Sequence, residues 1–389
     1  MRRVRRNDRP GGTRGGSALL KLAVAASTAG SRLEDLFWDQ QLREAVLPLL
    51  SSSGQATVES ALDRLWSSNP RGYDILADVL ESTIESTTVE IDGQRFDCLM
   101  FIAPLLAWSR GSIASGLLRA ADAEALRVQL AAHVLADGAR VAVVNRLFTP
   151  EQLPASYHDE HELAKALFKS ATGSGVHTLR ADRVPAPLEF VSDARYVVGA
   201  VVVPHGQAVF AWQQDPARLD TARLAWDEQG RGVLASVLAG SPFELMLPGA
   251  FYSSLRRVDQ ASREYHLSAG VAFLGAVLGS EPASLSASVA PFYEDELVEY
   301  RIGLTLGRNE EIFHGVTWPI LSEADVETAP ARIREVLEKA GVTQFFEHEH
   351  RFPLEFCDDC GAPLFPNPQG ETVHAELPED RTVTAVSLH

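Results

Sequence analysis

Two cysteines spaced C-x-x-C, in the stretch FCDDCGAPLFP at 356–366, are the residues of this chain best suited to chemistry. That spacing lets two thiolates, Cys357 and Cys360, reach one zinc ion from a tight turn, and zinc asks for four ligands in a tetrahedron. Gly361 follows the second cysteine and supplies the positive φ such a turn often needs, after which Pro363 and Leu364 close it. A redox couple and a metal-free turn are the competing readings. A reactive thiol pair is acidified by a helix N-terminus or a cation. Here Asp358 and Asp359 sit between the sulfurs and disfavour a free thiolate. A bound cation outweighs those carboxylates, so structural zinc is the favoured reading.

Zinc ribbons carry a second such pair, and none follows Cys360, so further ligands must come from histidine or from a second chain, which would make zinc a dimer clamp. QFFEHEHRF at 344–352 reads as a strand, placing Phe346, His348, His350 and Phe352 on one face. Six residues separate His350 from Cys357 and thirteen separate Cys360 from His374, so His348, His350 and His374 are all within loop reach. Against this stands the plain alternative of exposed or hydrogen-bonded histidines. Weaker candidates are His158 and His161 amid Asp159, Glu160 and Glu162, which read as a charged helix start. Glu294, Asp295, Glu296 and Glu299 could pair for acid and base work but read as a solvated face. Cys98, in FDCLMFIAP, reads as a small core residue. No nucleotide-binding glycine pattern, nucleophile elbow or H-E-x-x-H helix occurs in a supportive context.

The elements that must position these residues form an α+β chain: a helical N-terminal region, a mixed body with antiparallel hairpins, and a small zinc-knuckle-like C-terminal segment. Four amphipathic segments open it, at 18–29, from the capping-box match SRLE at 31–34 to about Leu50, at 58–66, and after Asn69. Asp92-Gly93 between extended runs signals a hairpin. Helical and strand patterns then alternate. Helices are expected near 122–135, 160–169, 216–228, 250–263 and 269–278, with a last one in ARIREVLEKAG, capped by Gly341. Strands are expected in RVAVVNRLF and FELMLP. ARYVVGAVVVPHGQAVFAW reads as a strand pair turning at 204–206, and SLSASVAPF, ELVEYRIGLTL and EIFHGVTWPIL as further strands. The divisions are a disordered Arg-rich leader at 1–16, a helical region at 17–87, a body at 88–352 and a knuckle with tail at 353–389. Repeated element order divides the body into two halves, about 88–175 and 190–352, read either as related units or as ordinary α+β rhythm.

Length and composition fit a folded globular protein: 389 residues, 46% hydrophobic and 22% charged. No apolar run reaches the 18 or so residues of a membrane span. The basic start followed by SALLKLAVAASTAG outlines a signal peptide, but Lys21 interrupts it and helical periodicity continues through it. Three cysteines do not suggest a disulfide framework, so the cytoplasm is expected. The first sixteen residues hold six arginines against one aspartate, which leaves the rest of this −17 chain at −22. Such a body repels phosphate backbones, so nucleic acid is an unlikely partner unless bound by the arm alone.

AGSRLEDLFWDQQL, DARYVVGAVVVP, FELMLP, RFPLEFCDDCGAPLFP and VHAELPED together resemble a family of bacterial proteins catalogued as domain of unknown function 2863, over nearly the whole chain. The resemblance implies a bacterial, cytosolic setting and carries over no catalytic residues. The functional expectation is a zinc-stabilised regulatory or interaction protein, possible partners being a second copy or another protein. The alternatives are a metal-dependent enzyme using the Cys/His site and a nucleic-acid binder working through the arginine arm.

Overall fold

The computed structural model describes residues 14–378 except 52, 174, 180–184 and 189. The Arg-rich leader thus lies, up to residue 13, outside the described residues, as does the tail from 379. Helices α1 (Arg14–Ala26), α2 (Arg32–Val46), α3 (Gln55–Ser68) and α4 (Pro70–Glu85) come first. Ser31 caps α2 as its sequence foretells: its hydroxyl accepts the Glu34 N–H at 3.3 Å and donates to the Glu34 carboxylate at 2.6 Å. Asn69 caps α4 by accepting the Gly72 N–H at 2.9 Å. The apolar stripes of the four helices meet in a shared core that includes Leu19, Leu42, Leu62, Leu76 and Leu80.

Strands β1 (Ser86–Ile91) and β2 (Gln94–Trp108) form the expected hairpin, with Asp92 and Gly93 at φ 51° and 76°. Two positive φ values in a two-residue loop match the right-handed twist of the strands. There follow β3 (Gly116–Leu117), α5 (Ala120–His133), β4 (Arg140–Phe148), α6 (Tyr157–Ala171), β5 (Val176–His177) and β6 (Ser192–Pro204). Next come α7 (Ala211–Gln214), α8 (Arg218–Leu234), β7 (Phe243–Leu245) and β8 (Gly249–Ala250). The first sheet runs β1-β2-β6-β4-β3, antiparallel along that path, with β5 added to β4 and β7 and β8 to β2. Cys98, Met100 and Ile102 of β2 face α1 to α4 and α6, while Phe101, Ala103 and Leu105 face α5 and α8. Burial on both faces is why β2 reads as an unbroken apolar run. Because β6 lies between β2 and β4, this sheet draws strands from both sides of the 175–190 division.

A 28-residue helix, α9 (Phe251–Leu278), packs on β2 and β6 with its first half and on the second sheet with its last. That sheet comprises β9 (Leu285–Tyr293), β10 (Leu297–Leu306), β11 (His314–Pro319) and, after α10 (Glu323–Lys339), β12 (Gln344–Glu347) and β13 (Phe352–Pro353). Its order is β11-β10-β9-β12, with β13 continuing beside β9. Leu285, Ala287, Val289, Ile302, Leu304 and Val316 point to α9 and α10. β14 (Phe365–Pro366) and β15 (Thr372–Val373) form a small hairpin on the opposite face.

Three expectations are corrected. AVFAW is not a returning strand: Phe210 makes one bridge to Leu135, and the N–H groups of Ala136 and Ala211 bond to Val209 and Val134 at the end of α5, which diverts the chain into α7. The helices expected at 250–263 and 269–278 are one, because no breaker lies between them. Gly270 sits inside α9, where a Cβ would come within 2.8 Å of the His314 ring. QFFEHEHRF is two strands, since Glu347 pairs with Val289 and Phe352 with Phe292. Five steps on one strand thus match three on the other, so 348–351 bulge out.

Candidate metal centre

The C-terminal segment lies on the face of the second sheet that carries Ser286, Ser288, Arg301, Gly303, Thr305 and Gly315. The first three and Thr305 are fully buried although polar: Ser288 and Arg301 donate to carbonyls of this C-terminal ribbon, Ser286 to the Gln344 side chain and Thr305 to the Glu311 carbonyl. Gly303 and Gly315 are cross-strand partners. A Cβ on Gly315 would fall 2.2 Å from the Phe365 ring, and one on Gly303 would fall 2.4 Å from the Pro366 carbonyl oxygen. Two glycines side by side thus flatten the sheet where β14 rests, and Phe365 is buried there with Ile312 and Ala375. Arg301 fastens the other side of the ribbon. Its guanidinium bonds the Glu299 carboxylate at 2.8 Å and donates to the carbonyls of Leu364 at 2.8 Å and Glu355 at 2.5 Å. Phe292 and Phe356 lie over its faces, with ring centres 4.3 and 5.0 Å away.

The two carbonyls held by Arg301 flank a knuckle. Phe356 and Pro363 bridge antiparallel, the Cys357 N–H bonds the Ala362 carbonyl at 2.7 Å, and the Gly361 N–H bonds the Cys357 carbonyl at 2.8 Å. Gly361 has φ 72°, the left-handed conformation its sequence position foretells. Inside the turn the N–H groups of Cys360 and Asp359 bond the Cys357 sulfur, and they hold its thiol below the usual range. Donors aimed at sulfur stabilise a thiolate, the form that ligates a metal.

Fourteen residues after Cys360, beyond β15, His374 returns to the knuckle. Its Nε2 lies 3.2 Å from Cys360 Sγ, and the ligating atoms of Cys357, Cys360 and His374 all lie within 4.8 Å of one another. Zinc–sulfur and zinc–nitrogen bonds of ordinary length set these atoms roughly 3.5 Å apart in a tetrahedron, so the donor set fits one zinc ion. The other ring nitrogen, Nδ1, lies 3.2 Å from Glu376 Oε1. A carboxylate behind a ligating imidazole fixes its orientation and raises its basicity. Glu376, whose own N–H bonds the Ile312 carbonyl at 2.8 Å, is the residue of this candidate site that spacing alone did not single out. Its offset of two from His374 was the available signal.

Sequence placed five residues at the site, and three converge. His348 lies in the bulge, its Nε2 3.0 Å from both Ser288 Oγ and the Asn367 carbonyl, and burial lowers its pKa. His350 packs on the Phe352 ring, 4.1 Å between centres. The two rings stay neighbours, 5.9 Å between centres, but the bulge sets them against Ser288, Asn367 and Phe352 rather than with the cysteines. Among the described residues no other group of three or more His, Cys, Asp or Glu side chains converges in this way. His158 bonds the Leu50 carbonyl through Nδ1 at 2.9 Å, and Glu160 accepts the Tyr252 hydroxyl at 2.6 Å, so the charged start of α6 is tied into the packing. Glu294, Asp295 and Glu296 form the exposed turn between β9 and β10, and Cys98 is buried in the core.

Residues 4–388 match the sequence model of a single family, described as protein of unknown function (DUF2863). The chain belongs to that family. No curated protein and no solved structure matches it. DUF2863 membership therefore spans both sheets and the ribbon, and the chemistry rests on the geometry above. No helix among the described residues is long and apolar enough to cross a membrane.

Proposed function

We propose that this DUF2863 chain holds one zinc ion through Cys357, Cys360 and His374, and that the ion fixes the ribbon as a contact surface for a second copy or another protein. The protein is then a zinc-stabilised interaction or regulatory protein of the cytoplasm, where two neighbouring thiols stay reduced. The observation that carries this reading is the convergence of three ligating atoms from two separate stretches, with backbone donors already aimed at one sulfur. Elemental analysis of protein purified without chelator tests it. About one zinc per chain is expected, lost in the Cys357→Ser/Cys360→Ser variant and reduced in His374→Ala. Metal-free protein with freely titrating thiols would reject the reading.

A second reading is favoured by the count of ligands. Three converge rather than four among the described residues, and a three-ligand zinc with an open position takes water or substrate. His348 and His350 reach that position only by leaving Ser288, Asn367 and Phe352. X-ray absorption at the zinc edge separates the cases: two sulfurs and two nitrogens indicate a closed structural site, whereas an added oxygen indicates an open one. The arginine arm lies largely outside the described residues, and the −22 remainder of the chain weighs against nucleic acid.

A further inference from the structure

Far along the chain from the ribbon, α2, α4, β1 and α6 enclose a cleft of about 870 Å³. That size lies within the usual range for small-molecule sites. Leu47, Ile84, Val89, Ile91 and Phe168 give it apolar walls. β1 lines it and is the outer strand of the first sheet, paired among the described strands only with β2. Three cations stand on it: Arg43 from α2, and Lys165 and Lys169, one turn apart on α6. Its two carboxylates are engaged. Asp97 accepts from the Thr88 hydroxyl and the Gly206 N–H and contacts His205, while Glu44 accepts from the Gln40 amide. The ion pairs of Arg43 with Asp39 and of Lys165 with Glu162 are solvent-exposed, and such pairs are readily given up to a ligand. One turn before Lys165, His161 also lines the cleft, and its Nδ1 is buried without a hydrogen-bond partner. An apolar trough with clustered cations, in a chain of net charge −17, selects for an anion with a hydrocarbon body.

We infer that this cleft binds a single-chain amphipathic anion of the acyl carboxylate class. The carboxylate meets Lys165 and Lys169, and the hydrocarbon covers Val89, Ile91 and Phe168. Calorimetric titration of the full chain with acetate, octanoate, decanoate, dodecanoate and decylamine tests this. Affinity rises about two- to fourfold per methylene across the carboxylates, as burial of each group requires, and decylamine binds at least tenfold more weakly than decanoate. Lys165→Ala/Lys169→Ala lowers decanoate affinity about tenfold or more. Thr87→Trp, at an exposed position lining the cleft, fills it and removes binding without touching the core. Both variants are checked for an unchanged melting temperature. Absence of a chain-length trend, equal binding of decylamine, or undiminished decanoate binding by both variants overturns the inference. Sedimentation with phosphatidylglycerol vesicles separates the sources of the anion. Pelleting that Thr87→Trp abolishes would overturn a free carboxylate in favour of a membrane lipid, and the absence of pelleting supports the free ligand.

Discussion

Arg301→Met tests whether the metal ribbon is held to the body by one buried cation. The arginine side chain is fully buried, and its guanidinium is shared among the Glu299 carboxylate and the Glu355 and Leu364 carbonyls. Methionine nearly preserves the volume between Phe292 and Phe356 but supplies no donor. Removing one partner of a buried ion pair costs about 3–5 kcal/mol. The Glu299 side chain keeps 15% exposure and recovers some hydration, so the lower end applies, about 3 kcal/mol. Because both carbonyls flank the knuckle, the loss falls on the ribbon rather than on the apolar core between β10 and α9. Native-state hydrogen exchange on the zinc-loaded protein reads this directly. The Cys357 and Gly361 amides, bonded within the knuckle, are expected to lose protection by roughly a hundredfold. Ile302 and Leu304 of β10 change much less. A drop under threefold at the knuckle, or an equal drop in β10, would refute the clamp.

Gly315→Ala places a methyl 2.2 Å from the Phe365 ring, so Phe365 must leave its site. Expelling a buried phenylalanine costs about 3–5 kcal/mol, and zinc affinity in a chelator competition should fall at least tenfold while far-ultraviolet dichroism stays unchanged. Stability should also depend on His266, which lines a small cavity of about 300 Å³ with Asp193 and His314 and whose burial lowers its pKa from 6.5 to about 4. As pH falls below 6.5 the unfolded chain takes up this proton before the folded one does. Stability is therefore full above 6.5 and declines between 6.5 and 4, by roughly 3 kcal/mol at most. Urea midpoints measured across that window should fall in wild type and fall less steeply in His266→Phe, the remaining slope coming from His161, His177 and His348, whose burial also lowers their pKa. Chelation should open the ribbon to proteolysis between residues 353 and 378 and leave the near-ultraviolet signal of the buried Trp226 and Trp318 intact.

Much of the first sheet and the knuckle is legible in the sequence because local rules decide them. Asp92-Gly93 fixes a hairpin, Ser31 and Asn69 fix helix starts, and Gly361 fixes the turn after Cys360. His374 was legible as a candidate by loop reach, and it is the one of the three histidines that lies with the cysteines, whereas a bulge that alternation cannot reveal carries His348 and His350 to Ser288, Asn367 and Phe352. The ribbon's seat was illegible for a related reason. ELVEYRIGLTL alternates polar and apolar residues as a half-exposed strand does, yet its polar side is covered, and Arg301 and Thr305 are both fully buried. Nothing in a local window distinguishes a polar face that meets water from one that meets carbonyl groups of a segment 50 residues onward. Likewise AVFAW carries strand-forming residues, and only the end of α5, more than 70 residues earlier, draws its backbone into other hydrogen bonds.

That covered polar face bears on what a metal held in the ribbon would do. The ribbon's own buried apolar residues are few, Ala362, Phe365, Pro366 and Ala375, joined by Ile312 from the connection between β10 and β11, and its strands are two residues long. A segment with so small a core needs a metal or an external clamp to hold its shape. The face beneath it presents Ser286, Ser288, Arg301 and Thr305 beside Ala290 and Phe292, and undocking would let water replace the hydrogen bonds that the ribbon supplies. The main core of the second sheet lies on its other face, against α9 and α10, and among the described residues takes only Leu377 from the C-terminal segment. The free energy of binding a metal at Cys357, Cys360 and His374 would therefore be concentrated in the ribbon's order rather than in the stability of the whole chain. A segment ordered in this way would be engaged or released while the core against α9 and α10 stayed packed, as the proposed contact surface requires.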